Sequence, residues 1–203
     1  MTAERRHNRH RLLMLLLALV LLGAAPAYAE APATIGWALP QLMSRMREVR
    51  SATARFTEKK FVRILKQPLV SSGRLIFVAP DRLQKETLTP VPSRLTVKGD
   101  RLTLEQPNGV KHDLTLSEYP EIGALVESVR ATLAGDDATL TRFYKPTLTG
   151  SANDWSLRLE PRAERLQNVL SVIRILGNGN KIHAIDTVER EGDRTEMTIA
   201  PDP

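Results

Sequence analysis

The sequence predicts a mainly β domain of the α+β type: a curved antiparallel sheet, or incomplete β-barrel, of about ten strands with an N-terminal helix and a helical lid. Three observations carry this expectation. Between Ala52 and Ile199 most apolar residues alternate with polar ones, the period of a half-buried strand. Proline, glycine, Asn and Asp break the alternation at short intervals, as hairpin turns do. One block, Ile122 to Leu140, switches to helical spacing.

The elements follow in order. Arg5, Arg6, Arg9 and Arg11 precede the apolar run Leu12 to Leu22, which Gly23 and Pro26 break before the small-x-small triplet Ala27-Tyr28-Ala29. This is the pattern of a signal peptide, residues 1–29, cut between Ala29 and Glu30. The run is short for a membrane span, and no cysteine follows to carry a lipid anchor. Residues 30–203 then form a single domain. Leu42, Met43, Met46 and Val49 repeat at three- and four-residue spacing after Pro40, which predicts an amphipathic helix. Strands are expected over 52–65, 70–79, around Leu83 and Leu88, over 95–97, 102–104 and 110–116. Ile122, Leu125, Val126, Val129 and Leu133 are helix-spaced up to Gly135, and Asp136 or Asp137 can cap a second short helix through Leu140. Strands resume at Trp155–Leu159, Val169–Leu176, Ile182–Glu189 and Thr195–Ile199.

Composition removes most chemistries. Among 203 residues there is no cysteine, so disulfides, thiol nucleophiles and thiolate metal sites are excluded. The formal charge of +6 suggests nucleic acid, but the leader takes away four arginines and Glu4, leaving +3. A nucleic-acid partner is not expected. His112 and His183 remain beyond the leader, without the paired spacing of a zinc site. No Gly-x-Ser-x-Gly elbow occurs, and Ser71-Ser72-Gly73 falls within a strand or bulge. Asp136-Asp137 reads as a helix cap and Gly177-Asn178-Gly179-Asn180 as a turn, while Lys59-Lys60 with Glu58 suits contact with an anionic partner and a solvated strand face equally well. No catalytic residue, metal site or cofactor is expected. The aliphatic face of the sheet and the apolar face of the helical segment remain as candidates for binding.

At this point the order of elements and several phrases resemble the LolA family of periplasmic lipoprotein carriers. They are Ala54-Arg55-Phe56-Thr57-Glu58-Lys59, Ser72-Gly73-Arg74-Leu75-Ile76-Phe77, Pro80-Asp81-Arg82-Leu83, Val97-Lys98-Gly99-Asp100-Arg101-Leu102 and Trp155-Ser156-Leu157-Arg158-Leu159-Glu160-Pro161. The resemblance spans about residues 40–199. It implies an incomplete barrel covered by helices around an apolar cavity. It also implies an acylated lipoprotein or lipid as cargo, an inner-membrane exporter or ABC transporter as donor, and an outer-membrane acceptor. Membrane contact would be transient, the protein a monomer, and its compartment the periplasm.

Carried over by strand parity, the cavity would be lined by Phe56, Leu75, Phe77, Leu83, Leu95, Val97, Leu102 and Leu104, under lid residues Leu125, Val129 and Leu133. The chain departs from the family where Ala79 replaces an arginine that hydrogen-bonds the lid, and where Lys85 replaces an aromatic residue. Arg82 is a candidate substitute for that latch. The departures point to a divergent member. The alternative function is a LolA-like sensor or interaction module that binds acylated ligands without transporting them. Such sensors usually carry a further domain, for which the end at Pro203 leaves no room.

Overall fold

The computed structural model describes residues 37–202. The expected leader and its cleavage point at Ala29/Glu30 lie outside the described residues. Helix α1 (Leu39–Met46) opens with Pro40 in its first turn, where an N–H would lack an intrahelical partner anyway. It buries Leu42, Met43 and Met46 on one face.

Six strands follow as a meander: β1 (Ser51–Phe61), β2 (Leu69–Val78), β3 (Arg82–Thr89), β4 (Ser93–Lys98), β5 (Arg101–Glu105) and β6 (Lys111–Thr115). A 3-10 turn (Leu116–Glu118) leads into α2 (Pro120–Ala134) and α3 (Asp137–Phe143). A second meander returns through β7 (Tyr144–Ser151), β8 (Asp154–Pro161), the short helix α4 (Glu164–Gln167), β9 (Leu170–Asn178), β10 (Lys181–Glu189) and β11 (Arg194–Pro201). All pairings are antiparallel, and β11 joins β1, giving the order β6-β5-β4-β3-β2-β1-β11-β10-β9-β8-β7. The result is one open, curved sheet whose two edge strands, β6 and β7, are connected through α2 and α3.

The described residues hold eleven strands rather than about ten. The additional one is β7, whose Pro146 and Gly150 mask the alternation. Proline is tolerated there because β7 is an edge strand and needs donors on one side only.

The helical segment is fixed by its termini. Gly135 ends α2 with φ +66°, and a Cβ there would stand 2.2 Å from the Met43 carbonyl oxygen, so only glycine lets α1 approach this closely. Asp136 caps α3 by accepting from the Thr139 N–H at 3.0 Å. The bonds from Thr139 hold its carboxyl below the ordinary carboxylate range.

Strand parity sorts the sheet into two faces. One is polar and carries ladders such as Arg94 between Glu86 and Glu105 (3.0 and 3.5 Å). The other packs against the helices in two clusters. The larger joins Leu42, Met43 and Met46 of α1 to Trp155, Leu157, Leu159, Ile173 and Ile175 of β8 and β9, with Ala124, Ala131 and Leu140 from α2 and α3. The smaller joins Val97, Leu102 and Leu116, with Leu83, Leu95, Leu114, Ile122 and Val126 packed against it.

Candidate functional site

The eight sheet residues singled out from the sequence all fall on the helix-facing side. Phe77, Leu83, Val97 and Leu102 are direct cross-strand partners in one row, which Leu114 completes at the edge. The next row runs Leu75, Lys85, Leu95 and Leu104, ending at His112. His112 therefore has the parity of the apolar row rather than the polar face, although the edge position leaves it exposed. Phe56 lies directly opposite Gly73, its partner on β2. Gly73 is buried where the β2–β3 register shifts, and a Cβ there would meet the Glu86 carbonyl oxygen at 1.8 Å. The bulge and the glycine bring β3 against β2 and leave the Phe56 ring without a side chain beside it on that strand.

Lys85 fills that position from β3. Its ammonium donates to Glu58 Oε2 at 2.7 Å and lies 4.9 Å above the Phe56 ring centroid. Ser71 Oγ donates to the other carboxylate oxygen of Glu58 at 3.3 Å. The apolar surface is thus bounded, between the two clusters, by a half-buried ion pair spanning β1 and β3.

Among the lid residues, Leu133 packs against the larger cluster. Val129 is half-buried and Leu125 is 38% exposed, and neither belongs to a cluster. At 100° per residue these three share a broad apolar face with Ile122 and Val126. The adjoining side of α2, from Ala131 round to Thr132, carries small residues, Ala124, Ser128, Ala131 and Thr132, all buried. Ser128 and Thr132 satisfy their hydroxyls within the helix, donating to the Leu125 and Ser128 carbonyls at 2.7 and 2.6 Å. The Tyr144 hydroxyl donates to the Ala124 carbonyl at 2.9 Å, and burial drives its phenol far above the ordinary range.

The candidate latch Arg82 does not reach the helices. It donates to Gln84 Oε1 at 3.2 Å on the same strand, along the polar face, as its parity requires. The tie runs the other way. Arg130 of α2 donates to the Gly99 carbonyl in the β4–β5 turn at 2.6 Å, and Glu127 pairs with the same guanidinium. Helical spacing had marked only the apolar residues of α2, and nothing in the sequence says which turn a charged residue will meet.

Two clefts lie elsewhere. One of about 530 Å³ sits among Lys145, Glu160, Arg162, Gln167 and Arg190, and one of about 230 Å³ among Glu86, Leu88, Arg94 and Gln106. Neither is lined by a candidate residue. No cluster of metal-ligating side chains occurs among the described residues, and no helix there is long and apolar enough to cross a membrane.

An outer membrane lipoprotein carrier protein LolA-like family model matches residues 27–201, almost the whole chain. The chain belongs to the LolA-like family. The resemblance read from the phrases between Ala54 and Pro161 is therefore a true family relation, and the open antiparallel sheet with its helices is the LolA-like fold. The chain is similar to a LolA superfamily protein from Nitrosomonas europaea, at 9% identity, covering 81% of this chain and 92% of that one, with a TM-score of 0.45. It is similar to a putative outer membrane lipoprotein-sorting protein domain from Vibrio parahaemolyticus, at 10% identity, 79% and 88% coverage, and a TM-score of 0.43. A chain in the MucA/MucB complex of Pseudomonas aeruginosa aligns at 10% identity, over 79% of this chain and 55% of that one, with a TM-score of 0.41. No curated protein matches the sequence.

Proposed function

We propose that this protein is a periplasmic carrier that shields the acyl chains of a lipoprotein or lipid against its apolar sheet face and moves that cargo from the inner towards the outer membrane. The observation that carries the reading is the apolar surface of row Phe77–Leu102 and of Leu75, Leu95 and Leu104 in the next row, where Lys85 turns aside to Glu58, covered by a helix that packs Ile122 and Val126 on that side. The donor would be an inner-membrane exporter or ABC transporter and the acceptor an outer-membrane component. No catalytic group or cofactor is needed for this task.

The physical demand is set by the cargo. Removing a 16-carbon chain from a bilayer forfeits around 12 kcal/mol, at about 0.8 kcal/mol per methylene. A carrier must offset most of this without holding the chain permanently. An aliphatic surface does so without directional bonds, and a cover held by few polar contacts can be displaced. α2 meets both conditions: Leu125 and Val129 sit outside the two packed clusters, and Arg130 ties the helix to the Gly99 turn. In the closed form described here, opening of α2 admits the cargo.

The test is retention of a fluorescent long-chain fatty acid by delipidated protein. Leu75→Glu and Leu125→Glu each place a carboxylate where the chain would lie. Both are expected to fold, as judged by circular dichroism, and to lose retention. Normal retention by a folded variant would overturn the reading. Retention without transfer between inner- and outer-membrane vesicles would instead favour a sensor or interaction module.

A further inference from the structure

The exposed apolar side chains are not scattered over the surface. The pairing pattern places the β1–β2, β3–β4 and β5–β6 loops side by side at one end of the sheet. Ile64 on the first loop is 87% exposed, with Leu65, Leu69 and Val70 exposed beside it. Leu88 at the end of β3, Val91 on the second loop and Val110 on the third continue the rim.

The first loop is the most prominent. Leu69 to Ser71 pair with β1 but have no partner on β3, whose ladder begins at Ser72, so the hairpin overhangs the sheet. It is nonetheless a formed structure. Leu65 N–H donates to the Val62 carbonyl at 2.9 Å, closing a turn that presents Ile64. Its base is rooted: the Arg63 N–H donates to Asp193 Oδ1 at 3.0 Å and its guanidinium to the Glu191 carbonyl at 2.9 Å.

Charge selects the partner. Residues 62–70, 88–92 and 106–110 contain Arg63 and Lys66 and no acidic residue, while the β10–β11 turn beside the first loop carries Glu191 and Asp193, with Asp193 held at the Arg63 N–H. Lys59 stands at the foot of the same hairpin. Further along the same end, Lys145, Arg162 and Arg190, with Glu160 as the one acid, line the cleft of about 530 Å³. Protruding aliphatics whose own loops carry only cations, on an end where cations outnumber acids, match the boundary of a bilayer with anionic headgroups, where apolar residues enter the acyl region and each nearby Lys or Arg adds attraction.

We propose that this end of the sheet, led by Ile64 and Leu65, docks the protein on an anionic lipid surface. The docking is separate from cargo retention on the apolar face and does not rest on it.

The experiment is flotation of the exported chain with vesicles. It is expected to float with vesicles of phosphatidylglycerol and phosphatidylethanolamine and to stay behind with pure phosphatidylcholine. Ile64→Asp/Leu65→Asp, at exposed positions, is expected to lower partitioning about tenfold or more with an unchanged thermal melt, and Lys66→Glu about fivefold. Leu75→Glu should float like the unaltered chain even where it retains no lipid, so failure of the carrier reading and of this one are distinguishable. Absence of flotation with anionic vesicles, or equal flotation of the double variant, would overturn the proposal. So would a dimer or a protein complex, seen by sedimentation equilibrium, that consumes the same tip and leaves no vesicle binding.

Discussion

Arg130→Met isolates the contact that ties the helical cover to the sheet. Arg130 and Glu127 are 18% and 14% exposed, so the pair is largely withdrawn from water. The substitution removes a charge-assisted bond to the Gly99 carbonyl, worth about 1.5–3 kcal/mol. It also leaves the largely buried Glu127 carboxylate unpaired, which costs up to about 3–5 kcal/mol at full burial and less here. Together these give about 3 kcal/mol against the closed helix, or roughly a hundredfold rise in its opening. The assay is amide hydrogen exchange resolved by segment. Amides of α2 should exchange about two orders of magnitude faster, while those of β8 and β9 change little. Glu127→Gln combined with Arg130→Met removes both charges and should recover about half of the loss. Unchanged exchange in α2, or an equal loss of protection in β8 and β9, would refute the argument that Arg130 is a local latch.

Two further outcomes follow from the geometry of the sheet. Gly73→Ala places a Cβ 1.8 Å from the Glu86 carbonyl oxygen, so β3 must shift; a loss of about 3 kcal/mol is expected in urea denaturation, and a near-neutral result would contradict the register. Asp186 is raised above the ordinary carboxylate value by burial and by Glu196, with Arg174 opposing. The fold favours its neutral form more than the unfolded chain does, so the stability it contributes is present below the ordinary pKa and is lost as pH rises through the raised one. Asp186→Asn should therefore stabilise the protein at neutral pH, by about 0.5 kcal/mol, and the gain should vanish as the pH falls below the carboxylate range. A Tm difference independent of pH would contradict that cause.

Most of the fold was legible because alternation is local. Leu95-Val97 and Leu102-Leu104 declare their face from parity alone, and the structure pairs them as direct neighbours. Pro40, Gly135 and Asp136 marked helix ends because backbone hydrogen bonding and φ constrain those positions. β7 was not legible, since its Pro146 is compatible with a strand only at an edge, and edge position is a property of the whole sheet. The candidate rows were readable on the same terms, but their boundary was not. That Lys85 would turn to Glu58 across Gly73 depends on a bulge between two strands. The tie between Arg130 and the Gly99 turn joins residues 31 apart in the chain and has no local signature.

The most direct test of the carrier account is native mass spectrometry of the protein purified from the periplasm, followed by extraction and identification of what it holds. The account predicts a bound acylated species, lipoprotein or free lipid, at one per chain, lost in Leu75→Glu. A protein that is empty as isolated, and remains empty when offered acylated ligands, would contradict it.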